Sequence, residues 1–230
     1  EAYHGLADAC YQIRRAEKLR GSINLQLIKD FYEDEFAASK HLSVFKYRRF
    51  KVDPNMMVKI RPEWETFDDY LKAMNKKYKK KALSTIKKGA ALERRSLTAE
   101  EIASSLEIIQ TLYLNVANKA KVRINHFDAT YLLQLKLNMQ EDFELIGYYL
   151  NGEMVGFCSL IYWGENCEAH AIGLNYEFNN EHAIYLNMLY DDVKTSITKK
   201  KSMLILGRTA MEMKSNIGAE PFEMCCYIRH

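Results

Sequence analysis

Residues 143–174 constrain the fold more than any other stretch of the sequence. FELIGYYL is apolar enough for a buried strand, and Asn151-Gly152 behind it is the strongest short hairpin signal a sequence can carry. Glu153 to Trp163 then reads as the return strand, Gly164-Glu165-Asn166 as a second turn, and Cys167 to Leu174 as a third strand. Together these predict a three-stranded antiparallel meander. Asn180 is placed to cap a long helix running to about Thr198, with Leu186, Leu189, Val193 and Ile197 inward and Lys199 to Lys201 at its C-terminal end.

The stretch after that helix, SMLILGRTAMEMKSNIGAEP, reads as one unit. Met203 to Leu206 is long enough for a buried strand and too short for a helix. Gly207 breaks it, and Thr209 stands three residues before Glu212, the spacing of a capping box. Gly218 offers a left-handed stop before Pro221, and Phe222 to Ile228 reads as a final strand. Arg208 falls at the expected helix entrance, where free backbone N–H groups favour an anion. It serves equally well as one half of a salt bridge.

The N-terminal part is less regular. Ala2 to Lys18 is helix-like, Gly21 ends it, and Ile23 to Ile28 alternates as a strand does. Glu33 to His41 predicts a short helix; Leu42 to Phe50 and Asn55 to Ile60 predict strands separated by an Asp53-Pro54 turn. Thr66 caps a further helix whose apolar seam is Phe67, Leu71, Met74, Tyr78, Ala82 and Ile86. Eight lysines lie between Lys72 and Lys88 with no acid after Asp69. Like charges at i,i+4 disfavour a helix, so this face is either simply solvated or a docking surface for a polyanion, with Lys76, Lys79 and Lys80 at its centre. Ala91 to Leu97 predicts a strand. Thr98 with Glu101 forms a second capping box before an amphipathic helix, and Asp128 to Met139 predicts another helix.

At 230 residues the chain can hold one large domain or two small ones. A net charge of +3 does not by itself imply nucleic acid. Five cysteines without a CxxC pair argue against zinc and against a disulfide framework, and fit a reducing, cytoplasmic setting. No apolar run approaches the ~20 residues of a membrane span. No signal peptide is visible, although the chain begins at Glu1 within what reads as a helix, so a piece of the natural N-terminus is expected to be missing.

Meander, helix, strand, short helix and strand in that order resemble the C-terminal part of the GNAT acyltransferase fold. Three segments, YLKAMNKKYKKKA, GLNYEFN and GRTAMEMKSNIGAEP, are similar to a bacterial group of GNAT-like proteins related to the Fem-type peptidoglycan aminoacyltransferases. The resemblance covers roughly Ile23 to His230. It implies an α/β (α+β) fold with a mixed, mostly antiparallel central sheet flanked by helices. It also implies a GNAT-like domain over residues 61–230, preceded at 1–60 by the remnant of a first such unit. The activity it implies is transfer of an acyl or aminoacyl group from an activated donor, acyl-CoA or aminoacyl-tRNA, to an amine. The acceptor would be a small molecule or a peptidoglycan precursor, tRNA a further partner, and no tightly bound cofactor is required. One departure stands out. Acetyl-CoA-dependent members carry a Q/R-x-x-G-x-G/A loop after the meander, whose N–H groups hold pyrophosphate. Here the text is Asn175 to Asn180 without a glycine. The Fem-type relatives lack that loop too.

Transfer to an amine needs a base, an oxyanion donor and an acid. Glu168 and His170, two apart on a strand, share a face and form a base-and-orienter pair, with Ala169, Ala171 and Gly173 packed on the other side. Tyr185 and Tyr190 are candidates for the acid, or for the core, and Tyr185 joins Glu168 and His170 as the catalytic set. Donor-binding residues are expected at Arg208, Thr209 and Lys214 and at Asn175. His126 and His182 lack metal-spaced partners, and no metal site is expected. The competing reading is a non-catalytic module of the same fold that holds a polyanion on its lysine helix.

Overall fold

The computed structural model describes residues 2–18, 23–119 and 127–230, so Gly21 and His126 lie outside the described residues. The chain divides into two compact units, one formed by residues 1–55 with 221–230 and the other by Met56–Glu220.

In the first unit, helix α1 (Ala2–Lys18) precedes strand β1 (Gln26–Tyr32), which pairs antiparallel with the C-terminal strand β8 (Glu220–Arg229). Strand β1 therefore lies further along the chain than the alternation at 23–28 implies. Helix α2 (Phe36–Ser39) is a single turn flanked by 3-10 turns, the second running Lys40–Phe45. Phe31, Leu42, Tyr47, Cys225 and Tyr227 form the core of this unit, with the Tyr47 hydroxyl donating to Gln26 Oε1 at 3.0 Å. The expected strand at 42–50 and turn at Asp53-Pro54 are corrected: β2 is one strand over Arg48–Lys59 that runs through Pro54. Proline has no N–H for a ladder, but the pairing with the neighbouring strand β7 starts beyond it, at Met57.

The second unit carries the C-terminal end of β2 and then β3 (Glu93–Ser96), β4 (Phe143–Leu150), β5 (Glu153–Trp163), β6 (Asn166–Leu174) and β7 (Met203–Ile205), in the spatial order β2-β7-β6-β5-β4-β3. Neighbouring strands of this unit pair antiparallel except β6 with β7. The meander forms as the turn chemistry dictates, with Asn151 and Gly152 both at positive φ (52° and 86°). Helices cover both faces. On one side lie α3 (Phe67–Ala73), α4 (Lys76–Lys88), α8 (Tyr176–His182), α9 (Ile184–Thr198) and α10 (Met211–Ser215). On the other lie α5 (Ala99–Ser104), α6 (Leu106–Ala117) and α7 (Thr130–Met139), over Phe143, Leu145 and Phe157. The Thr98–Glu101 box is made, Thr98 Oγ1 accepting from Glu101 N at 3.2 Å.

Four local expectations need correction. The Thr66-capped helix breaks at Met74, which is extended, and restarts at Lys76 with Asn75 Oδ1 accepting from Lys77 N at 3.3 Å. Lys72 and Lys76 are thus not helical neighbours, and Lys72 is offset by Asp69 at 3.2 Å. Ile86, assigned to the inward seam, is 38% exposed. Asn180 caps nothing: Asn175 Oδ1 accepts from Glu177 N to start α8, Ala183 turns at φ 47°, and Asn179 Oδ1 accepts from Tyr185 N in the first turn of α9. The Thr209–Glu212 box is absent because Ala210, at φ 53°, occupies the cap of α10 and leaves Thr209 one residue too early. Among the described residues no helix is long and apolar enough to cross a membrane.

Candidate functional site

The parallel pair sets the geometry. Strands β6 and β7 are in register from Asn166↔Met203 to Glu168↔Ile205; β6 then continues to Leu174 while β7 ends. Leu206 N donates instead to Met56 O, and Gly207 turns the chain at φ 78°. Past Glu168 and Ile205 the two strands part, and α8 and α10 start from their carboxyl ends. In open sheets ligands bind outside the carboxyl ends of parallel strands.

Lys214 of α10 projects back toward this mouth. It is only 3% exposed, and its Nζ donates to Gly207 O at 3.3 Å, a carbonyl that also accepts from Met56 N. Burial pulls its ammonium down to about 8, with Asp192 acting in the opposite sense. Asp192 is 2% exposed on the inward stripe of α9, between Met188 and Ser196. Burial, reinforced by Asp191, pushes its carboxyl up to about 8, and the Cys158 thiol donates to its Oδ1 at 3.7 Å. Tyr185 is half-buried; burial and then Asp192 push its phenol up to about 12. Asp192 therefore acts electrostatically on both Lys214 and Tyr185. Burial raises the Cys158 thiol well above its ordinary value.

The remaining candidates are distributed differently. Arg208 is half-buried and already engaged with a partner, and Thr209 is exposed. Asn175 Oδ1 accepts from one N–H at the start of α8, that of Glu177. Glu168 and His170 lie on the other face of the sheet. Ser159 is opposite Ala171 and Leu160 opposite Ala169, so His170 is the extra residue of a β-bulge. The bulge breaks the strict alternation of side chains. Ala169 and Ile172 pack with the α9 side, whereas Ala171 joins the α6–α7 side together with the His170 ring, 5.7 Å from that of Tyr131. The expected grouping of Ala171 with Ala169 is corrected accordingly. Glu168 Oε2 accepts from Trp163 Nε1 at 3.3 Å. Burial holds the His170 imidazole below its ordinary value against the opposing charge of Glu168, and its Nε2 has no hydrogen-bond partner among the described residues.

A cavity of about 320 Å³ opens beside the start of α4, lined by Arg61, Trp64, Tyr70, Asn75, Tyr78 and Asn216. Lys81 Nζ donates to Asn216 Oδ1 at its edge. Among the described residues, Lys76, Lys79 and Lys80 take part in no ion pair. Sequence reasoning missed Arg61 and Trp64, which sit in a stretch without periodicity. It also missed Asp192, which was visible as an acid among apolar residues of the α9 stripe.

The architecture is a GNAT-like α/β fold of the kind found in Fem-type proteins. Neither a family model nor a curated protein sequence matches the chain. Solved structures do. The chain superposes on FemX with a TM-score of 0.63 at 13% identity, covering 96% of this chain and 75% of that one. L-PGS from Bacillus licheniformis gives 0.60 at 11%, covering 94% and 70%. A GCN5-related N-acetyltransferase from Sphaerobacter thermophilus gives 0.54 at 9%, covering 100% and 70%.

Proposed function

We propose that this protein is an acyltransferase that moves an acyl or aminoacyl group from an activated donor to an amine, at the mouth where β6 and β7 part. The observation that carries the reading is Lys214, a buried amine whose proton affinity is brought close to neutrality at the carboxyl ends of the parallel strands. Such a group suits both halves of the reaction. As a neutral amine it takes a proton from the incoming ammonium; as an ammonium it neutralises the oxyanion of the tetrahedral intermediate and protonates the leaving oxygen or sulfur. Tyr185, on which Asp192 also acts, supplies a hydroxyl for orienting the acceptor.

Two features favour aminoacyl-tRNA over acyl-CoA as donor. The N-terminus of α8, where a pyrophosphate would be cradled in the acetyl-CoA-dependent pattern, is capped by the chain's own Asn175. The unpaired Lys76, Lys79 and Lys80 instead belong to the helix that starts beside a cavity with aromatic walls and Arg61, suited to phosphates and a stacked base. The acceptor in this reading is a small-molecule or peptidoglycan-precursor amine. Five free thiols are in keeping with a reducing cytoplasm.

The test is single-turnover transfer from charged tRNA and from acyl-CoA to a panel of amines. Lys214→Met should lower the rate by about a hundredfold or more while donor affinity persists. Wild-type rate in that variant would overturn the assignment. The unpaired lysines also favour a second reading, a non-catalytic polyanion-binding module. It would be recognised by tight, salt-sensitive tRNA binding without turnover.

A further inference from the structure

Away from that mouth, Arg94 and Lys194 each line two cavities at once. One, of about 520 Å³, is walled by apolar groups, among them Leu83 and Ile86 of α4, Leu92 and Tyr190. The other, of about 640 Å³, is polar, with Ser96, Lys136, Thr198 and Lys199 in its wall. The two follow a single stripe of α9, through Tyr190, Asp191, Lys194, Thr195 and Thr198. From Tyr190 to Thr198 the helix rises roughly 12 Å, and the cavities adjoin along it: the first has mostly apolar side chains with Asp68 and Asp191 among them, the second has Arg94, Lys136, Lys194 and Lys199 against Glu141 and Glu144. Neither contains Lys214 or Tyr185.

The charges in the polar cavity are unequally committed. Arg94 pairs with Asp191 at 3.6 Å and donates to Thr195 Oγ1 at 2.9 Å. Lys136 donates to the carbonyls of Gln140 and Phe143. Glu144 accepts from Ser96 and Tyr162. That leaves Glu141 and two lysines, Lys194 and Lys199, neither lysine in an ion pair among the described residues, although Lys194 acts on Asp191 and Lys199 on Glu144 through space; Lys199 Nζ rests 4.6 Å from the Tyr162 ring centre. Carbonyls in the last turn of α9, which would repel an anion, accept from the N–H groups of Lys199, Lys200 and Lys201. In the first cavity, Leu83 is 50% and Ile86 38% exposed, aliphatic surface that a ligand chain would remove from water.

We infer that these adjoining cavities bind a single-chain anionic amphiphile, with its aliphatic chain against Leu83 and Ile86 and its carboxylate or phosphate head between Lys194 and Lys199. The inference is independent of acyl transfer at Lys214. The test is calorimetric titration of the intact chain, below micellar concentrations, with laurate, dodecyl phosphate, dodecyltrimethylammonium and inorganic phosphate. Saturable binding of laurate, dodecyl phosphate or both supports the site and identifies the head group; no binding of either, or equal binding of the cationic amphiphile, overturns it. Inorganic phosphate alone should bind at least about tenfold more weakly, because the chain contributes through buried apolar area. Lys194→Glu combined with Lys199→Glu, and separately Leu83→Asn combined with Ile86→Asn, should each weaken binding about tenfold or more while circular dichroism stays that of wild type. Wild-type affinity in folded variants of both kinds refutes the site. Lys214→Met should bind the amphiphile as wild type does, whatever its effect on transfer.

Discussion

Replacing Asp192 with asparagine should make the protein's stability less sensitive to pH, with a sign and size that follow from where the carboxyl sits. It is 2% exposed, and burial raises it from 3.8 to about 8. Between those two values the folded protein keeps a proton that the unfolded chain has released. Stability contributed by this group is therefore present at low pH and lost as pH rises through the window. One proton costs about 1.4 kcal/mol per pH unit, so from about pH 5.5 to about pH 7.5 wild type should lose roughly 2–3 kcal/mol relative to Asp192→Asn. Lys214 acts with the opposite sign: its ammonium is lowered from 10.5 to about 8, and losing the Asp192 charge, which raises it, lowers it further, so part of the difference at the upper end of this range belongs to Lys214. The assay is urea denaturation of both proteins across these pH values. Parallel profiles, within about 0.5 kcal/mol, would show that Asp192 is solvated or ionised in the fold and would refute the reasoning.

Gly173→Ala should cost about 1–3 kcal/mol by overpacking. An added Cβ would stand 2.1 Å from Phe157 Cε1 and 2.8 Å from the Leu112 carbonyl carbon, and an unchanged urea midpoint would show that β6 and α6 do not approach so closely. Reversing Lys76, Lys79 and Lys80 to Glu should weaken tRNA binding and flatten its salt dependence, since fewer phosphates are then neutralised and fewer counterions released. Stability should move by less than about 1 kcal/mol, and undiminished tRNA affinity at low salt would remove the lysine helix from the donor site.

Features fixed by neighbouring residues were legible in the sequence. The Asn151-Gly152 hairpin needs only two residues able to take positive φ between apolar runs, and Thr98 with Glu101 makes its box within one turn. Features decided by competition were not. Asn175, Asn179 and Asn180 are all competent caps, and the choice among them depends on Ala183 taking a left-handed turn between α8 and α9. Asn75 outcompeted a continuous seam through Met74 in the same way. The bulge at His170 is a property of the register between β5 and β6, and no pattern within CEAHAIGL reveals it. Lys214 was legible as a residue of the turn-and-helix unit. Its burial was not, because it depends on Gly207 folding back beneath it.

This distribution bears on the chemistry. A base, an oxyanion donor and an acid must meet one carbonyl carbon, so all three must reach the same side of the sheet. The sheet puts Glu168 and His170 with Tyr131 on the α6–α7 side, and Lys214, Asp192 and Tyr185 with α9. In the proposed reading the second group is preferred because Lys214 sits on Gly207, just past the point where the parallel strands part. Within it the roles separate by proton affinity. Burial and Asp191 push the Asp192 carboxyl up to about 8 and the Cys158 thiol donates to it, so in this reading it neighbours the amine and is not the base. Tyr185 holds its proton too tightly to act alone as the acid. In the proposed mechanism Lys214, lowered to about 8 by burial, is the group left to exchange the proton, and its hydrogen bond to Gly207 O holds it past the end of β7.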